Sequence, residues 1–228
     1  MKQAGLLLLI VLFGSIVMAG VLGTLDLTGY EDNRHDLKGS TVAVSFTKEG
    51  GGGGGGIITA CTITVFDCKG QQKLSVPFAE AIGGTKVQIE HFDKSWVIVN
   101  VESGTNYYYS LALSSKGVTV LGSALEDDVN VRYAYKKIVV GYKNSTKQCQ
   151  LYDQELQPLG AAVTILGNPR ALNGGAYFYC EGDGKTQIYR VRKTIEKLIE
   201  ANGAYKEINE AKRLCCIQED EKHTICKY

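Results

Sequence analysis

Short β-prone runs return along this chain at a nearly constant interval. That periodicity constrains the fold more than anything else in the sequence, because a repeat of roughly 20–50 residues marks a stack or ring of equivalent units. The five runs are Val42–Phe46, Trp96–Val101, Lys137–Tyr142, Ala176–Cys180 and Leu214–Ile217. Their starts lie 54, 41, 39 and 38 residues apart, and the first interval falls to 47 once the glycine run Gly50–Gly56 is set aside. Each run is followed by a polar turn and a second apolar run, which is how a β-hairpin looks in sequence. The second runs are Ile57–Phe66, Tyr107–Leu113, Gln148–Tyr152, Gln187–Val191 and Thr224–Tyr228. The last two hairpins align closely, Cys180–Ile188 over Ile217–Ile225, and Asp183-Gly184 is a good tight-turn dipeptide.

A third strand-like run follows the first three hairpins (Leu74–Phe78, Val118–Leu121, Leu159–Ile165), and a weaker one precedes the next hairpin, as in Lys86–His91 and Val129–Tyr135. Four strands in about forty residues resembles the blade of a β-propeller. The resemblance is to the architecture and not to one family: there is no Trp-Asp dipeptide pattern, no kelch double-glycine pattern and no sialidase-type Asp-box. It implies an all-β fold, a small β-propeller of five four-stranded blades. The fifth repeat stops at Tyr228 after its hairpin, while Thr24–Thr28 alternates like a strand without a partner. The ring is therefore expected to close by N- and C-terminal strands, Leu25 and Leu27 completing the fifth blade and covering an exposed edge. The segment 194–213 fits less well, because Ile195, Leu198, Ile199, Tyr205 and Ile208 around Asn202-Gly203 suit two short helices as well as strands. The alternative is another antiparallel β-sheet fold with a helical insertion near 194–213.

Compartment is read from the N-terminus. Met1-Lys2-Gln3 precedes an apolar stretch centred on Leu6–Phe13, and Val17-Met18-Ala19 has the small residues a signal peptidase requires, so residues 1–19 are expected to be a signal peptide cleaved after Ala19. The rival is a retained anchor, since the uncharged run is about as long as a membrane span of ~20 residues. Glycines 14, 20 and 23 weaken that rival. Residues 24–228 then form a single propeller-like domain with a Gly-rich loop at 50–56. Loss of Lys2 leaves 24 basic and 24 acidic side chains. A neutral chain excludes binding to nucleic acid by phosphate neutralisation. The expected location is extracellular or the lumen of the secretory pathway.

All the cysteines, Cys61, Cys68, Cys149, Cys180, Cys215, Cys216 and Cys226, lie beyond the expected cut and are disulfide candidates in an oxidising compartment. Seven is odd, so one is free or pairs with another chain, which allows a disulfide-linked dimer. Cys149 with Cys180 is one candidate bond. Cys215, Cys216, His223 and Cys226 have zinc-ligand chemistry, but adjacent cysteines on a strand point to opposite faces, which favours disulfides over a metal site. Asn144-Ser145-Thr146 is an N-glycosylation sequon in an expected turn, which makes Asn144 the glycosylation candidate. The glycine run lacks the spacing, the helix and the Lys of a phosphate cradle, and reads as a hairpin tip.

No catalytic, cofactor-binding or metal-ligating residue is assigned, and no cofactor is expected. Glu90, His91 and Asp93, and Glu126-Asp127-Asp128 in the next repeat, occupy positions from which carboxylates reach a propeller's central channel. Tyr107, Tyr108, Tyr109, Tyr133, Tyr135, Tyr142, Tyr152, Tyr177, Tyr179 and Tyr189 offer rings with a polar end for stacking on sugars or anchoring a protein. The functional expectation is a secreted or luminal, lectin-like protein that binds a carbohydrate or an extracellular protein. The alternatives are a glycan-processing hydrolase with propeller-channel carboxylates, and a disulfide-tethered extracellular scaffold.

Overall fold

Alternation of apolar and polar residues within each run is what the backbone converts into sheets. A computed structural model describes residues 25–36, 38–50, 56–124, 128–209 and 214–228. The expected signal peptide, Gly51–Gly55, Glu126 and Asp127 lie outside the described residues. The first sheet contains β1 (Asp32–His35), β2 (Thr41–Glu49), β3 (Ile57–Phe66) and β4 (Gln72–Pro77). The second contains β5 (Lys86–Asp93), β6 (Trp96–Glu102), β7 (Asn106–Ser114) and β8 (Gly117–Ala124). The third contains β9 (Val129–Tyr135), β10 (Ile138–Lys143), β11 (Gln148–Tyr152) and β12 (Pro158–Thr164). The fourth contains β13 (Arg170–Leu172), β14 (Tyr177–Gly182), β15 (Lys185–Val191) and β16 (Ile195–Asn202), and the fifth contains β17 (Ala204–Asn209), β18 (Leu214–Glu219) and β19 (Lys222–Lys227). Every sheet is antiparallel with its strands in sequence order, so each is a plain meander.

Burial on both faces explains why the second strand of each middle sheet opens with a continuous apolar run. In β6, Val97, Val99 and Val101 pack toward the first sheet with Val42, Val44 and Ile63, while Trp96 and Ile98 pack toward the third with Val131 and Val139. Strand β10 repeats the pattern, Val139 on one side and Val140 with Tyr142 on the other. Four cores result, each between consecutive sheets. Full burial of side chains such as Leu111, Phe178 and Ile188 stabilises the packing by about 1.5–3 kcal/mol each.

The segment 194–213 follows the repeat reading, and the helical alternative is overturned: among its described residues β16 pairs along β15 and β17 along β18, so its apolar positions serve strands. One expectation is corrected: no closing strand forms among the described residues, where the fifth sheet has three strands. Residues 25–27 are irregular, the Leu27 carbonyl accepts the Tyr30 N–H in a turn, and Glu31 N–H bonds the Val44 carbonyl, which ties this segment to the first sheet. Among the described residues no hydrophobic core joins the fifth sheet to the first.

The meander fixes which loops share an end. Turns between first and second strands and between third and fourth strands gather at one end, and the remaining turns and sheet-to-sheet connections gather at the other.

Candidate functional site

At the first of these ends, a cleft of about 480 Å³ opens between the third and fourth sheets. Three turns build it. The β9–β10 turn brings Tyr135 and Lys136, the β13–β14 connection brings Asn173 and Ala176, and the end of β15 with its following turn brings Arg190, Arg192 and Lys193; Tyr177 forms part of the wall. Lys136 and Asn173 have positive φ of 55° and 49°, which swings their turns sharply. Gly175, at φ 97°, lies so flat on Tyr133 and Tyr135 that a Cβ there would come within 3.0 Å of both, so only glycine fits.

The electrostatics of the cleft are one-sided. Glu196 compensates Arg190, accepting its Nε–H at 3.0 Å and a further bond from Nη2. Lys136, Arg192 and Lys193 are exposed and have no carboxylate partner among the described residues. Lys136 Nζ sits 5.2 Å from the centre of the Tyr135 ring. The cleft therefore offers an anion the partly exposed Tyr135 ring and several long cationic donors. A smaller cleft of about 330 Å³ around Val129, Gly141, Lys143, Gln150 and Tyr152 has one cation, and another of about 240 Å³ around Glu80, Ile82, Tyr107 and Tyr109 has an acid and no cation.

A second polar cluster lies on the first strands of the first three sheets. Strands β5 and β9 each carry a β-bulge at the corresponding place, and the extra residues are Glu90 and Arg132. Bulges re-aim side chains, and Glu90 here feels the charges of Arg34, Asp32 and Arg132. Arg34 of β1 donates to the Glu90 carbonyl, Asp32 Oδ2 accepts the Ile89 N–H at 2.6 Å, and Asn100 Nδ2 donates to Asn106 Oδ1 at 3.1 Å. Burial raises the Glu90 pKa above the usual carboxylate range, with Arg34 opposing and Asp32 adding to the shift. His91 follows in the same bulge, its ring 4.8 Å from that of Trp96, and burial lowers its pKa to about 4. His91 Nε2, Asn100 Oδ1 and Arg132 Nε are buried without a hydrogen-bond partner among the described residues.

The other expected residues are dispersed. Asp128 is exposed and accepts the Ser145 N–H at 2.6 Å; the Ser145 hydroxyl and N–H together hold its carboxyl below the usual range and commit it to the Asn144 turn. Asn144 itself is exposed in the β10–β11 turn, at the end opposite the basic cleft. Tyr108, Tyr142, Tyr152, Tyr177 and Tyr189 are buried in cores, whereas Tyr133, Tyr135 and Tyr179 are partly exposed. The cysteine thiols are free: Cys149 and Cys180 share the core between third and fourth sheets, Cys61 lies in the first core and Cys68 is exposed in a turn. Cys215 and Cys216 do point to opposite faces, Cys216 lying 3.4 Å from His223 Nδ1. Lys136, Arg192 and Lys193 were not legible as a site, because they belong to different repeats. The one sequence signal for them was positional: those turns occupy the same end of successive meanders.

Successive antiparallel meanders, packed face to face with their first strands adjacent, define a β-propeller fold. Solved propeller structures are similar to the chain. A periplasmic gluconolactonase from Pseudomonas aeruginosa superposes with a TM-score of 0.50 at 15% identity, over 87% of this chain and 67% of that one. Hsv2 from Kluyvelomyces marxianus gives 0.51 at 10% identity, over 82% of this chain and 54% of that one, so this chain spans about half the Hsv2 length. At these identities the likeness is one of fold. No protein-family model matches the chain, and no curated protein matches it.

Proposed function

We propose that this propeller is a secreted or luminal, lectin-like binding protein whose ligand is an acidic glycan, one bearing carboxylate or sulfate groups, held in the cleft between the third and fourth sheets. The observation that carries this reading is the lining of that cleft, where the partly exposed Tyr135 stands beside Lys136, Arg190, Arg192 and Lys193 with a single compensating acid. Tyrosine rings stack on the apolar faces of sugars, and the cations meet acidic substituents. The whole chain is close to neutral at +1, so the cations of this cleft are not part of a general positive charge, which suits selection of acidic over neutral sugars. The exposed sequon at Asn144 is at the other end, so a glycan attached there leaves the cleft open.

A glycan array comparing sulfated and uronate-containing oligosaccharides with neutral ones tests this. Retention of acidic glycans is expected, with affinity falling about tenfold or more in Arg192→Glu combined with Lys193→Glu. Equal binding to neutral glycans, or an unaffected charge-reversal variant, rejects it. A second reading, a glycan-processing hydrolase, is favoured by Glu90, whose raised pKa beside the ionisable Asp32 is the pattern of an acid and its partner carboxylate. Release of reducing sugar that disappears in Glu90→Gln supports that reading, and unchanged turnover removes it.

A further inference from the structure

Register places Cys215 of β18 directly opposite Cys226 of β19. Directly opposed residues of antiparallel strands have Cα atoms ~4.5–5.5 Å apart, inside the ~4.4–6.8 Å that a disulfide spans. Both belong to the face that packs on the fourth sheet near Tyr177, Ile188 and Ile217. Their access differs, Cys215 being 1% exposed and Cys226 half-buried. That asymmetry suits thiol–disulfide exchange, which needs one sulfur a reagent can reach and a second held beside it. The other neighbouring pair, Cys149 and Cys180, lacks it, both being fully buried. Cys216 is on the opposite face of the strand, beside His223.

We propose that Cys215 and Cys226 form a reversible cross-strand disulfide that fastens β19 to β18, with a low-molecular-weight disulfide as the oxidant. The Cys226 thiolate attacks one sulfur of the oxidant, forming a mixed disulfide and releasing one thiolate, which takes a proton. Cys215 then loses its proton and attacks Cys226 Sγ, expelling the second small thiol. Two protein thiols and one small disulfide become one protein disulfide and two small thiols, so atoms and electrons balance. Burial, with Cys226 alongside, pushes the Cys215 thiol up to about 12, which fits its role as the second sulfur and not the first. Strand β19 is paired only to β18 among the described residues, so the bond ties down the edge of the fifth sheet.

The test uses the full chain and its Cys216→Ser variant, both equilibrated with oxidised glutathione, blocked with iodoacetamide and digested with trypsin. Cleavage after Arg213, Lys222 and Lys227 gives Leu214–Lys222 and His223–Lys227. In the variant the first peptide has one cysteine, so any link to the second is unambiguous, and Cys216 is only partly buried, which favours a folded variant. The expected result is a joined species, two hydrogens lighter than the sum of the peptides, in both proteins, separated by reduction. Recovery of both peptides alkylated without reduction, or a link present in the wild type and lost in Cys216→Ser, overturns the proposal.

Discussion

Burial keeps the His91 imidazole neutral in the fold, and that has a consequence for acid stability. Its pKa falls from 6.5 to about 4, chiefly through desolvation. Between those values the unfolded chain binds a proton that the folded one does not, so the contribution of His91 to stability is complete above the unfolded value and is lost as pH falls toward the folded one. Glu90 works in the opposite sense: its raised pKa means that the folded state holds its proton longer, and its contribution fades as pH rises through the folded value. In urea titrations at pH 7 and pH 4, replacing His91 by Gln is expected to shrink the acid-side loss by about 1–3 kcal/mol, scaled for a partly accessible ring. An unchanged difference contradicts the buried, neutral imidazole. Trp96 gives a second test, since its Nε1–H donates to Ser110 Oγ at 2.8 Å in the interior. Trp96→Phe leaves that hydroxyl without its donor and is expected to cost about 1–3 kcal/mol in unfolding free energy, cavity included.

The strands themselves were largely legible, because a half-buried strand alternates and a strand between two cores carries a continuous apolar run, as Trp96–Val99 of β6 and Ile138–Val140 of β10 do. The bulges were not. Glu90 and Arg132 each add one residue without changing the composition of a strand, and nothing in a single sequence distinguishes a bulge from a continued ladder. The ambiguity at 194–213 arose for the opposite reason: Ile195, Leu198 and Ile199 satisfy both periods, and pairing to β15 decided it. Contacts between sheets escape the sequence as well. Gly122 of β8 lies under the loop of the third sheet, where a Cβ would come within 1.9 Å of the Glu155 carbonyl oxygen. Gly122→Ala is therefore expected to lower the urea midpoint, by the equivalent of about 1–3 kcal/mol. A neutral effect would show that the second and third sheets do not meet there. At the other extreme, β19 carries Lys222 and Lys227 at its ends and an exposed Ile225 (65%) between them. Flanking lysines discourage edge-to-edge pairing, so Lys222→Val with Lys227→Val is expected to raise concentration-dependent association in light scattering.

For the whole molecule, the period near forty residues carried the architecture, since each repeat becomes one sheet and each sheet buries its faces only against its neighbours. What periodicity does not convey is how the series ends. The turn at Leu27–Tyr30 and the bond from Glu31 to Val44 keep the N-terminal segment on its own sheet, a local competition that alternation at Leu25 and Leu27 does not reveal. The candidate site was equally beyond the repeat pattern, because its charge is assembled from turns of two units. The central claim is that an acidic glycan occupies this assembled cleft, and amide chemical-shift mapping during titration with a sulfated oligosaccharide tests it most directly. Saturable shifts are predicted to cluster at residues 135–138, 173–177 and 190–195, at the end of the propeller opposite Asn144. Shifts centred on Glu90 and Arg132, or none at all, contradict it.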